Sequence, residues 1–90
     1  MKVLKIGAVW CSGCLVMRPR WQEVQEENPW LATEYIDYDS DKDKIESLDI
    51  QGGKLPTFIF LDQKGHEIRR LSGEISKDEL TRLINENKDK

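Results

Sequence analysis

Apolar residues run almost unbroken from Val3 to Trp10, in a stretch rich in β-formers and too short for a typical helix, interrupted only by Lys5 and Gly7. This predicts a buried, central strand. From Ser12 to about Asn28 the period changes. Met17, Trp21 and Val24 fall at i, i+4 and i+7, while Gln22, Glu23, Gln25, Glu26 and Glu27 take mostly the outward positions, which predicts an amphipathic helix with one face on the core. Pro19 lies inside it, removes the hydrogen bond to the Leu15 carbonyl and predicts a kink. Asn28-Pro29 ends the helix.

Thr33 to Tyr38 is β-branched and aromatic and predicts a second strand. Asp39-Ser40-Asp41 then offers N-caps for a short helix that turns Ile45 and Leu48 inward. Strand, long helix and strand form a crossover unit with parallel strands. Gln51-Gly52-Gly53-Lys54 reads as a loop, and Leu55-Pro56 leads into a strand at Thr57 to Leu61. Asp62-Gln63-Lys64-Gly65 is a hairpin turn, its glycine supplying the positive φ, into an antiparallel strand from His66 to Leu71. Ser76-Lys77-Asp78-Glu79 is a capping box, and Leu80, Leu83 and Ile84 give the last helix its apolar stripe before a polar, fraying tail. Trp21 and Trp30 read as packing residues and His66 as a solvated turn residue.

Ninety residues allow one domain, 1–90. Charged residues make up 34% with a net charge of only -3 and both signs interspersed, so nucleic acid is not an expected partner. The lysine within the first apolar run and the lack of a small-residue cleavage site do not read as a signal peptide, and no run approaches membrane-spanning length. The expectation is a cytoplasmic chain.

In a reducing compartment the only two cysteines, Cys11 and Cys14, read as catalytic or metal-binding rather than as a structural staple. Two Cys and the distant His66 are too few for a one-chain zinc site, although a cluster bridged between two protomers stays open. The pair sits where a strand hands over to a helix, so Cys11 lies at a helix N-terminus, whose unpaired amides and dipole stabilise a thiolate. Cys14 follows one turn on. That is the layout of a redox couple with an exposed attacking sulfur and a recessed resolving one. Taken alone, Trp10 could be ordinary core, and Pro56 a trans proline at a strand start.

The order β-α-β-α-β-β-α, with Trp10-Cys11-Ser12-Gly13-Cys14 after the first strand, Pro19 in the first helix, Leu55-Pro56-Thr57 before the third strand and Gly73 after the last, resembles the thioredoxin family over nearly the whole chain. The resemblance implies a minimal α/β thioredoxin fold, a four-stranded mixed sheet flanked by three helices. It also implies a monomeric thiol-disulfide oxidoreductase, working in electron transport with no cofactor beyond its own Cys11-Cys14 disulfide. By the same resemblance Leu55-Pro56 is the cis-proline segment. Trp10 and Pro56 would wall the site, and the backbone of Leu55, Thr57 and Gly73 would hold an extended substrate segment. Leu15 would add apolar contact surface. Partners would be protein or small-molecule disulfides, with a thioredoxin reductase or glutathione as electron donor. A binding module using the same groove without turnover is the alternative.

Three departures from the family pattern stand out. The chain begins at the central strand, so the leading strand and helix of full thioredoxins are absent. Ser12-Gly13 replaces the usual Gly-Pro between the cysteines, the family's main setting of redox potential. Lys5 stands where thioredoxins carry a buried aspartate implicated in proton transfer. Strand alternation puts Lys5 on the face of Val3, Gly7 and Val9, with room beside Gly7 for its stem. The expectation is that Lys5 approaches the cysteines, favours thiolate and makes the pair more oxidising.

Overall fold

The computed structural model describes residues 1–50 and 54–90, so Gln51, Gly52 and Gly53 of the expected loop lie outside the described residues. The first strand, β1 (Lys2–Gly7), occupies an interior place in a four-stranded sheet. β2 (Ala32–Asp37) runs parallel to it on one side and β3 (Thr57–Leu61) antiparallel on the other, and β4 (Glu67–Ser72) pairs antiparallel with β3 to complete the order β2-β1-β3-β4. Helix α1 (Ser12–Glu27) links β1 to β2, α2 (Lys42–Ser47) lies between β2 and β3, and α3 (Lys77–Asn87) follows β4. This is the element order that the hydrophobic pattern predicts.

The alternation along β1 sorts the core into two clusters. Val3 packs with Met17, Trp21 and Val24 of α1, with Leu80, Leu83 and Ile84 of α3, and with Phe58 and Phe60 of β3. Leu4 and Ile6 point the other way, to Ile36, Ile59 and the α2 residue Ile45, with Leu48 partly buried beside them. The predicted stripe of α1 is therefore its buried face. Pro19 sits on the exposed side of that helix.

Several local expectations are corrected. β1 stops at Gly7 rather than running to Trp10, because the Cys11 N–H turns back to the Ala8 carbonyl (3.2 Å) and leaves Val9 and Trp10 outside the sheet. Val9 is accordingly 86% exposed. Trp30 is not a packing residue: it follows Pro29 in the α1–β2 turn, beyond the helical period, and is largely exposed. Asp41 is the N-cap of α2, yet its carboxylate accepts the Asp37 N–H (3.0 Å) instead of a helix amide. The tail is also tied down. Asn87 is buried with its Nδ2 donating to the Leu83 carbonyl (2.8 Å), and the Gln63 N–H donates to the Lys90 carbonyl (3.0 Å).

The turn chemistry follows the residue types. The Asp62 carboxylate accepts the N–H groups of Lys64 and His66, both at 2.8 Å, and Gly65 takes φ +84°. Ser76 caps α3 by accepting the Glu79 N–H at 3.2 Å. Among the described residues no helix is long and apolar enough to cross a membrane.

Candidate functional site

Helix α1 opens at Cys11, whose extended backbone makes it the N-cap, and Cys11 Sγ accepts the Cys14 N–H at 3.2 Å. That sulfur thus satisfies an amide that has no partner within the helix, at the positive end of the dipole. Cys14 differs. Its thiol is pushed up to about 11, first by burial and then by its hydrogen bond with Cys11, so it holds its proton at neutral pH. Arg18, four residues on along the same helix face, pulls in the opposite direction.

Accessibility runs opposite to the expected order. Cys11 is buried, at 6% exposure, whereas Cys14 is only half-buried. The N-cap side chain folds back over the first turn to reach the Cys14 amide. Cys14, in turn, has its sulfur beside Gly7, where a Cβ would lie 3.0 Å from Sγ and where no side chain is present to cover it. Both cysteines are free thiols.

The walls come from three loops. Trp10 is more than half exposed, and its Nε1 donates to Asp39 Oδ2 (2.8 Å) while its ring stands edge-on to Tyr38, with centroids 6.1 Å apart. Leu15 and Val16 extend this exposed apolar surface along α1. The Leu55-Pro56 peptide is cis, and the Pro56 carbonyl accepts the Gly73 N–H at 2.8 Å, with Gly73 at φ +91°. A Cβ on Gly13 would lie 3.0 Å from Pro56 Cδ, so the second residue between the cysteines has a steric place: it lets the proline ring rest on the first turn of α1. Ser12 is exposed. Thr57 is buried, paired with Ile6 and Ser72 in the sheet, and its hydroxyl contacts the Lys54 carbonyl and Ser72 Oγ. Leu55 packs half-buried against the α2-side cluster.

Lys5 does not meet the cysteines as expected. Its Nζ donates to Gln25 Oε1 (3.3 Å), which draws the ammonium along α1, and burial holds its pKa below the ordinary lysine value. The cation acting at Cys14 is Arg18. Lys5 instead borders a cavity of about 400 Å³ that also has Gly7, Cys14, Arg18, Tyr35 and Trp21 in its wall. The cross-strand pairs Lys5↔Tyr35 and Gly7↔Asp37 bring the β2 residues there, and Tyr35 OH donates to Asp37 Oδ1 (3.2 Å). Sequence reasoning missed Arg18, Tyr35 and Asp37. Arg18 could have been found from its spacing to Cys14, but the other two need the β1–β2 register. Among the described residues no three His, Cys, Asp or Glu side chains gather as a metal site.

A protein-family profile described as thioredoxin matches residues 1–78. Thioredoxin H9 of Arabidopsis thaliana is 33% identical over 82 residues, which is 91% of this chain and 56% of that protein. The thioredoxin of Chlamydia pneumoniae is 31% identical over 78 residues, 87% of this chain and 74% of its own. A crystal structure of a thioredoxin from Nicotiana alata superposes with a TM-score of 0.84 at 29% identity, covering 96% of this chain and 71% of the other. The chain thus spans little more than half the length of several curated relatives that it matches.

Proposed function

The chain belongs to the thioredoxin family, and on that premise we propose that it is a thiol-disulfide oxidoreductase in which Cys11 attacks and Cys14 resolves. The observation that carries the assignment is the unequal treatment of the two sulfurs. Cys11 Sγ accepts a backbone N–H at the N-cap, while burial and the bond to Cys11 keep the Cys14 thiol protonated. The Cys11 thiolate attacks one sulfur of a substrate disulfide, forming a mixed disulfide and releasing the other sulfur as a thiolate that takes a proton from solvent. Cys14 then gives up its proton and attacks Cys11 Sγ. The second substrate thiol leaves, two electrons have moved to the substrate, and the chain is left with a Cys11-Cys14 disulfide that a dithiol donor must reduce.

Binding follows from what is still available. The Gly73 N–H is engaged by Pro56, and Thr57 is already paired in the sheet, so among the described residues the Leu55 backbone is the segment left to pair with an extended substrate. Trp10, Leu15 and Val16 supply exposed apolar surface beside it. Protein or small disulfides are the substrates in this reading, and a thioredoxin reductase or glutathione returns the electrons. Insulin reduction with dithiothreitol as donor tests it. Turnover is lost in Cys11→Ser, and Cys14→Ser accumulates mixed disulfides. Turnover that survives Cys11→Ser overturns the assignment, and no turnover together with a visible-absorbing dimer overturns the enzyme reading in favour of a bridged cluster.

A further inference from the structure

We propose that the cavity beside Cys14 binds a small aromatic carboxylate, its ring between β1 and α1 and its acid group held by Arg18 and Lys5. The cavity of about 400 Å³ falls within the range of roughly 300–1,000 Å³ typical of small-molecule sites. It exists because Gly7 puts nothing into it: a Cβ there would lie 3.0 Å from Cys14 Sγ and 3.2 Å from the Tyr35 ring. Met17, Trp21 and Phe58 in its wall are buried core residues and supply an apolar floor.

The polar groups specify an anion. Arg18 makes no ion pair among the described residues, and the partner of Lys5 is the neutral amide of Gln25, so neither cation lining the cavity is matched by a carboxylate in a salt bridge. Asp37 is the carboxylate in the wall. The N–H groups of Ser40 and Asp39 and the Tyr35 OH hold it ionised, so it offsets one of the two cations and leaves the other over. Glu26 lies on the shallow groove that continues past Lys5 and Arg18, not in the cavity. Lys5 and Arg18 outnumber Asp37 in the wall, so its charge balance is positive and an acceptor-bearing anion answers it. An occupant would also lie against Cys14 and shield its sulfur.

Naphthoate is a suitable probe, and binding is read without turnover, so the result stands apart from the redox reading. In amide NMR spectra of the reduced chain, naphthoate is expected to give saturable shifts at Gly7, Cys14 and Arg18. It should also slow alkylation of Cys14 in the Cys11→Ser variant. Arg18→Gln, an exposed position, is expected to weaken binding about tenfold, as is replacing the probe by neutral naphthalenemethanol. Gly7→Val fills the cavity and abolishes binding; should that variant not fold, Arg18→Gln and the neutral probe decide. Shifts that never saturate, equal affinity for the neutral probe, or affinity unchanged by Arg18→Gln would make the cavity mere solvent space and overturn the proposal.

Discussion

Strand β1 serves two cores that are built differently. Toward α2 it offers Leu4 and Ile6, an apolar pair that meets a single six-residue helix and the side chains of Ile36 and Ile59. Toward α1 and α3 it offers Val3, then half-buried Lys5, then Gly7, so its apolar character thins to nothing as the chain nears the cysteines. On that side Phe60 and Leu80 pack away from the site, and open space appears where β1 has no side chain, with Trp21 between the two. Stability and chemistry share one face of the sheet but occupy different parts of it. A close-packed interior leaves no room for a ligand or a reacting group, so the site sits where packing stops.

The largest test of this contrast compares one deletion on each side. Phe60 is 1% exposed against Trp21, and Phe60→Ala is expected to cost about 3–5 kcal/mol in denaturant unfolding; Ile45, on the small α2 cluster, should cost about 2 when cut to alanine. Equal losses would mean that the two clusters carry the fold equally.

Next in size is the pH response of Cys14. Because its thiol is raised from 9.0 to about 11, the resolving step should quicken about tenfold per pH unit between neutral pH and 9, read as decay of a trapped mixed disulfide. Forming the mixed disulfide removes the hydrogen bond with Cys11 but leaves the burial, the larger cause, still pushing the thiol up. The linkage has a definite sign. The fold holds a proton that the unfolded chain gives up, so this contribution to stability is intact below pH 9.0 and is lost as pH rises toward about 11. A thiolate absorbance titration that ends near 9 would contradict both statements.

Gly13→Ala tests the proline wall. The new methyl meets Pro56 Cδ at 3.0 Å, a rigid ring on a loop tied to Gly73, so a loss of about 1–3 kcal/mol is expected together with slower insulin reduction. Unchanged stability and rate would show that the loop yields freely. The smallest effect expected has the opposite sign. Lys5 spends a half-buried ammonium on a neutral amide, and Lys5→Met should raise stability by about 1 kcal/mol or less in thermal unfolding. Destabilisation would mean that the Gln25 bond outweighs the burial cost.

Much of the fold was legible because it is written in periods and punctuation. The spacing of Met17, Trp21 and Val24 marks the buried face of α1, Ser76 and Glu79 mark the start of α3, and Gly65 marks the hairpin. The misreadings sit at element ends. A run of apolar letters cannot say that the strand stops at Gly7, because the turn that ends it depends on the Cys11 N–H finding the Ala8 carbonyl.

By itself the sequence determined the order of elements, which residues face inward, and a dithiol at a strand-to-helix junction, since each of these rests on neighbours within a few positions along the chain. Tertiary structure alone decided which sulfur is covered, where the Lys5 ammonium goes, and that Gly7, Arg18 and Tyr35 border one cavity. Those outcomes turn on the register of β1 with β2 and on how α1 lies across the sheet. Periodicity says which face a residue is on, but not which distant residue it meets there.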